Sequence, residues 1–365
     1  MFSFINNLNI SNNIINKNRK VSHLLLKSIN ENFFDKGKIN INLLEAKLLW
    51  GRPWIKSQNH LDEINVGFSL DSDYILRCMM TVASVIDSQK PKVMLRLHFA
   101  VVSNFSTKNI LKIYSLRDKF KHKVEFNFYN AKRVEKELND ISYKGPGLAA
   151  KLILPQLVTD DVERLIILDI GDTLVLGDLF EMYNWNMKNN IYMGVPDPGA
   201  GKFGKISNKT LEVYINAGTY LIDVKKVKLE KIYDKYIKYK NVYNPPFAEQ
   251  DMINDISYGK IGYLPVIFGL VPAYNNDKIS YEIPLKKTIF QHFNLNIISK
   301  NNSFLPKNYV EFLHQAFNPI IVHQWNGKWS DGNGLNIYRK LCQYYIKLAG
   351  IWDEMCKKHS GYCKK

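Results

Sequence analysis

The chain lacks any apolar run approaching the ~20 residues that a membrane-spanning helix requires. That argues against a helical membrane protein and leaves at most peripheral contact with a bilayer. Cysteine is scarce as well. Cys78, Cys342, Cys356 and Cys363 are too few and too scattered to lay out a disulfide framework. Only Cys356 and Cys363 are close in sequence, and their spacing matches no zinc knuckle. The opening stretch, MFSFINNLNISNNIINKNRK, carries asparagines where a secretory leader needs an apolar centre. A soluble protein in the reducing cytoplasm is therefore expected. Acidic residues are also short, 34 against 50 Lys and Arg, giving a net charge of +16. Such a balance favours anionic partners such as phosphates, nucleotides or acidic headgroups without choosing among them. Much of the excess is lysine in a chain also rich in asparagine and isoleucine, so its weight as a functional clue is small.

What is present points to a folded enzyme-sized unit. The 365 residues are 46% hydrophobic and 13% aromatic, which sets disorder aside and allows one large domain or two ordinary ones. Residues 1–60 are polar and Asn-rich, with one helical patch around Val21–Phe34, and read as an extension that packs on something else. From Ile64 the pattern changes to strands alternating with helices. INVGFS (64–69), LHFAVVS (97–103), VEFNF (124–128) and RLIIL (164–168) are strands. Tyr74, Cys78, Val82 and Val85 recur at helical spacing, a helix is expected around Asn109–Lys119, and LAAKLILPQLV (148–158) reads as another. Further strands are expected at 191–196, 217–223 and 319–323. Alternation of this kind implies an α/β fold, a mostly parallel sheet covered by helices on both faces. Lys228, Lys231, Lys235 and Lys238 fall on one helical face and read as solvated lysines; no aromatic RNA-reading motif accompanies them, and no nucleic-acid partner is expected. At the end, Leu335, Tyr338, Leu341, Tyr345, Leu348, Trp352 and Met355 form one stripe, predicting an amphipathic helix over 334–365 that docks on a catalytic unit at 61–333.

Two aspartates close the fourth strand in LIILDIGDTLVLGDLF (165–180). Ligands of open α/β sheets gather beyond the carboxyl ends of strands, and LDSDY after the first strand sits at such an end too. Asp169 and Asp172 could serve a phosphatase of the dehalogenase type, a divalent metal, or merely the next turn. The phosphatase signature separates its carboxylates by two residues and places them on the first strand; here they are three apart and follow three strands. Two hard oxygen ligands suit Mn²⁺ or Mg²⁺ held against a pyrophosphate. Asp178 is read as a helix cap.

RLIILDIGDTLVLGDL resembles the metal-binding segment of glycosyltransferase family 8, the glycogenin and lipopolysaccharide galactosyltransferase relatives, usually written YLDxDxxVxxDL. INVGFSLDSDYILRCMMTVASVI resembles the family's opening strand and uridine-binding turn, and LAAKLILPQL the segment ahead of the metal motif. INAGTYLIDVKK, FAEQDMIND and IIVHQWNGKWS are similar to its NAG/NSG strand, its DQDxLN block and its closing HxxGxxKPW. The blocks run in family order over residues 63–330. This chain has DxGD where the family has DxD, Glu249 where the family block begins with Asp, and a compressed closing motif without its proline.

The resemblance implies a GT-A fold, a UDP-sugar donor, Mn²⁺ (or Mg²⁺) and transfer with retention to a glycan or protein hydroxyl, including one of the chain's own tyrosines. It assigns Asp169, Asp172 and His323 to the metal. Ser69, Asp71, Asp73 and Tyr74 fall to the uridine, with Tyr74 stacking on the base. Lys151, Gly327 and Lys328 fall near the diphosphate, where a cation and a close backbone approach suit the charge. Asn216, Ala217 and Glu249 fall to the donor sugar together with Asp197, and Gln250 and Asp251 to the reacting face. Besides this reading stand the phosphatase and a catalytically silent nucleotide-sugar-binding protein on the same fold.

Overall fold

The computed structural model describes residues 48–50, 63–102, 105–120, 124–138, 146–171, 173–197, 205–206, 209–210, 214–243, 245–269, 321–323 and 336–363. Its strands are β1 (Leu48–Trp50), β2 (Glu63–Leu70), β3 (Met94–Val101), β4 (Val124–Asn130), β5 (Arg164–Leu168), β6 (Thr173–Val175), β7 (Tyr192–Pro196), β8 (Lys205–Ile206), β9 (Lys209–Thr210), β10 (Ile215–Asp223), β11 (Ile261–Tyr263) and β12 (Ile321–His323). Eight of them form one sheet in the order β1-β4-β3-β2-β5-β10-β7-β11. β4, β3, β2 and β5 run parallel, β10 lies antiparallel between β5 and β7, and β11 is parallel to β7. The sheet is thus mixed but mostly parallel. β1, from the stretch read as an extension, adds antiparallel to the free side of β4.

The helices are α1 (Ile75–Ser88), α2 (Thr107–Tyr114), α3 (Lys132–Glu137), α4 (Pro146–Ala149), α5 (Leu154–Leu157), α6 (Phe180–Tyr183), α7 (Val224–Leu229), α8 (Ile232–Val242), α9 (Ala248–Ile256), α10 (Asn336–Leu348) and α11 (Trp352–Lys358). They cover both faces. Ile166 and Leu168 of β5 join one apolar cluster with α1, α10 and α11, while Leu165 and Ile167 join another with α4, α5, α7, α8 and α9. That double burial is why the strand reads as an unbroken apolar run. Phe68, Phe99 and Phe128 stack across three strands, with centroids 5.1 and 4.7 Å apart. The opposite end of the sheet holds a polar layer that the sequence reading missed. Arg96 meets Glu63 at 3.1 Å and Asp161 at 2.7 Å, and His98 bridges Asn65 and Tyr129. Burial pushes the His98 imidazole down to about 3, so it stays neutral.

Several expectations are corrected. The helix over 148–158 is three pieces, α4, a 3₁₀ turn (Ala150–Leu152) and α5. Pro155 lacks an N–H and its ring would crowd the carbonyl of Lys151, so one α-helix cannot pass. The four lysines do not share a helix. Lys228 ends α7, and Lys231 turns the chain with φ 49° before α8 carries Lys235 and Lys238. The terminal helix is two helices, because Gly350 at φ +67° takes the left-handed conformation that ends α10. Of the expected stripe Tyr345 and Met355 are buried and Leu341, Leu348 and Trp352 pack partly buried against the core, while Cys342, Ile346 and Ala349 are buried positions that the stripe left out. Cys356 and Cys363 form a disulfide, Cα atoms 5.6 Å apart, because the turn Ser360–Cys363 doubles back on α11. The spacing that suits no metal knuckle suits this closure, and cysteine usage therefore gives no argument for a reducing compartment. The patch Val21–Phe34 lies outside the described residues. Among those residues no helix is long and apolar enough to cross a membrane.

Candidate functional site

β2 and β5 are parallel neighbours although two strands separate them in sequence, so Asp71 and Asp169 emerge side by side where the strand order reverses. Asp71 caps the turn Ser72–Tyr74, its Oδ1 accepting the Asp73 amide at 2.9 Å. Burial, before any other influence, raises its carboxyl above the usual range. A cleft opens here, lined by Ser69, Asp71, Tyr74, Gly147, Asp169 and Ile170.

The segment after β5 is fastened from two directions. The Asp169 amide donates to the Gly218 carbonyl at 2.8 Å. Gly171, at φ +81°, adopts a conformation that L side chains rarely hold. The Thr81 hydroxyl of α1 accepts from the Gly171 amide at 3.1 Å and donates to the Thr173 carbonyl at 3.0 Å. Asp172, Gly327 and Lys328 lie outside the described residues. β12 pairs antiparallel with β6, setting the backbone of His323 opposite Thr173, the residue that follows Asp172. Asp178 caps as expected, its Oδ1 accepting the Phe180 amide at 2.9 Å.

Lys151 does not snorkel. It is 1% exposed, and its Nζ donates to Asp169 Oδ1 at 2.7 Å, Glu249 Oε1 at 3.0 Å and the Ala217 carbonyl at 3.0 Å. Burial alone would lower its pKa, but the two carboxylates outweigh that and raise it, so the ammonium keeps its charge. Glu249 sits beside Ala248, whose φ of 49° is unusual for a residue with a side chain. Burial raises the Glu249 carboxyl despite Lys151, and its Oε2 is buried without a hydrogen-bond partner.

Next to this triad a polar network joins β7, β10 and α9. Asp197 Oδ2 accepts from Asn216 Nδ2 at 3.1 Å and from Gln250 Nε2 at 2.9 Å. Gln250 Oε1 accepts the Ala217 amide at 3.0 Å, and its Nε2 also reaches Tyr214 Oη at 3.2 Å. β10 bulges against β7 between Ile215 and Tyr220, so Asn216 and Ala217 leave the regular ladder and are re-aimed at the strand end. Asp251 takes the Tyr214 hydroxyl at 2.6 Å and the Phe247 amide at 2.8 Å, which gives its two oxygens a scaffolding task.

The structure thus brings together Asp71, Tyr74, Lys151, Asp169, Asp197, Asn216, Ala217, Glu249 and Gln250 at one end of the sheet. Asp73 instead lines a second groove with Ser72, Lys108 and Lys358. The sequence reading missed Tyr214, Asn254 and Thr81. Asn254 was within reach, since it stands four residues after Gln250 and so on the same face of α9. No three metal-ligating side chains converge among the described residues. The donor chemistry nevertheless suits a hard divalent ion. Asp169 follows β5 directly with a hard carboxylate oxygen donor, and the β6–β12 pairing sets the His323 backbone opposite Thr173.

The profile of the family described as Glycosyl transferase family 8 matches residues 65–297. A Haemophilus influenzae protein named "Putative glycosyltransferase" is 26% identical over 219 residues, which cover 58% of this chain and 64% of that one. The bifunctional glycosyltransferase WbbM superposes with a TM-score of 0.63 at 17% identity, over 83% of this chain and 53% of its own. The galactosyltransferase LgtC, solved with donor and acceptor sugar analogs, gives 0.59 at 17% identity, over 79% of this chain and 95% of its own. A further LgtC structure carries an active-site glutamine-to-glutamate substitution. This chain therefore spans less than two thirds of the Haemophilus relative and of WbbM, and its likeness to the solved structures is one of fold.

Proposed function

The chain belongs to glycosyltransferase family 8, and from that premise we propose that it moves a hexose, glucose or galactose, from a UDP-sugar to an acceptor hydroxyl, with retention and with Mn²⁺ or Mg²⁺. The observation that carries this reading is the shared cleft: Tyr74 and the capping carboxylate of Asp71 line it together with Asp169 at the junction of two parallel strands. Tyr74 offers its ring to the uracil, and Asp71 accepts from the base or ribose. Asp169, Asp172 and His323 would hold the ion, which when bound supplies a Lewis acid for the departing diphosphate. The Asp197–Asn216–Gln250 network and the Glu249 carboxylate line the sugar. Gln250 bears on the reacting face through an amide, a poor nucleophile, so it stabilises charge at the anomeric carbon rather than attacking it. The active-site glutamine substituted in LgtC supports giving Gln250 that place. The acceptor is a glycan or a protein hydroxyl, and residues 61–333 form the catalytic unit.

The test is UDP release from a panel of UDP-sugars, with Mn²⁺ and with EDTA. We expect ion-dependent release from UDP-glucose or UDP-galactose. Hydrolysis of an aryl phosphate with no UDP release would return the chain to the phosphatase class, and UDP binding without release would make it a silent binder. Gln250→Ala is expected to lower UDP release about 10²-fold; turnover equal to the parent would remove Gln250 from the mechanism. A mass increase in hexose steps after incubation with donor alone would identify the chain as its own acceptor.

A further inference from the structure

We infer that Arg77 is a further cation that meets the donor's diphosphate, its guanidinium taking a phosphate oxygen between Tyr74 and the turn at Gly171. This rests on the reading that the cleft binds a UDP-sugar. Lys151 is not available for that task, because its three N–H donors already go to Asp169, Glu249 and the Ala217 carbonyl. Beside the ion and Lys328, which the resemblance assigns to the diphosphate, Arg77 is a further cation close to where the charge arrives.

Arg77 stands one turn after Tyr74 on α1, and its Cζ lies 5.3 Å from the centroid of the Tyr74 ring. One face of that ring is therefore braced by a guanidinium, which leaves the other for a base. The stem runs along the turn that follows Asp169. A Cβ on Gly171 would come within 2.9 Å of both Cβ and Cδ of Arg77, so the residue at which this chain departs from DxD is what gives the arginine room. Tyr74 itself and Ile170, the neighbour of Gly171, both line the cleft.

The electrostatics agree with the geometry. Arg77 is partly buried, its Nε has no hydrogen-bond partner, and among the described residues no carboxylate pairs with it. The titratable neighbour it influences is His359, which burial and then the charges of Arg77 and Lys358 hold below its usual range. A guanidinium cannot shed its proton to escape such a setting. It calls for an anion from outside, and a nucleoside diphosphate entering along Tyr74 brings one.

The test compares uridine with UDP as ligands in calorimetric titrations with Mn²⁺, using the full chain and its R77Q and R77M variants. Both substitutions keep an unbranched stem against Gly171 and remove the charge. We expect UDP affinity to fall about 10–100-fold, the loss of one charge-assisted hydrogen bond. Uridine affinity should change by less than about threefold, since stacking on Tyr74 remains. UDP binding at parental strength in either folded variant would overturn the assignment. So would equal weakening of uridine and UDP, which would mean that Arg77 only braces the ring. A parent that binds neither uridine nor UDP would sink the UDP-sugar reading itself, and this inference with it.

Discussion

Asparagine at both Asp169 and Asp172 will lower UDP release from the preferred UDP-sugar by about 10³-fold or more. In the proposed reaction the diphosphate would leave carrying charge that a divalent ion offsets, and asparagine oxygens hold such an ion poorly. The fold should survive the change. Asp169 accepts from Lys151 at 2.7 Å, but Glu249 at 3.0 Å remains as a second partner, so the ammonium keeps a carboxylate. Thermal unfolding within several degrees of the parent, together with the lost turnover, would place the defect in the chemistry. Ion-independent UDP release at the parental rate in the doubly substituted protein would sink the metal assignment.

Lys151→Met should destabilise the protein by about 3–5 kcal/mol, the loss expected when one partner of a buried ion pair is removed and its counterpart charges stay behind. The loss must depend on pH, and its sign follows from the two shifts. Lys151 is held above the ordinary lysine range, so its contribution is complete below that range and disappears only in strong alkali. Glu249 is held above the ordinary carboxyl range by burial even with Lys151 beside it. A carboxyl raised in the fold favours folding while protonated and works against it as pH climbs through that raised value. Without Lys151 this penalty grows. The stability gap between variant and parent should therefore be widest near pH 8 and narrow towards pH 5, measured by denaturant unfolding at both. A gap under 1 kcal/mol, or one equal at both pH values, would show that Lys151 does not hold the two carboxylates in check.

The strands of the parallel half were readable from the sequence because burial on both faces leaves uninterrupted apolar runs, as in RLIIL, whose span matches β5. Family order then pointed to the residues around the strand ends. What escaped were features fixed by contacts distant in sequence. The resemblance set Lys151 near the diphosphate, but nothing in the sequence showed its buried pairing with two carboxylates. Only the approach of β10 and α9 gives it the Ala217 carbonyl and Glu249. Arg77 carried no signal, since its setting is made by a glycine 94 positions later, 171 − 77. The break at Gly350 was passed over because apolar spacing continues through it, although a glycine near a helix end is a stop signal. The disulfide depends on a turn whose geometry no spacing rule encodes.

Asn254 deserves a last consequence. Its side-chain amide bonds both the N–H and the C=O of Ile215, at 2.7 and 2.9 Å, as a neighbouring strand would. One helical residue thus acts as a prosthetic edge for the sheet just where the β10 backbone departs from regular pairing with β7. If the proposed sugar site is right, donor preference can drift through substitutions on α9 that never touch the sugar, by tugging on the main chain of Asn216 and Ala217 from behind.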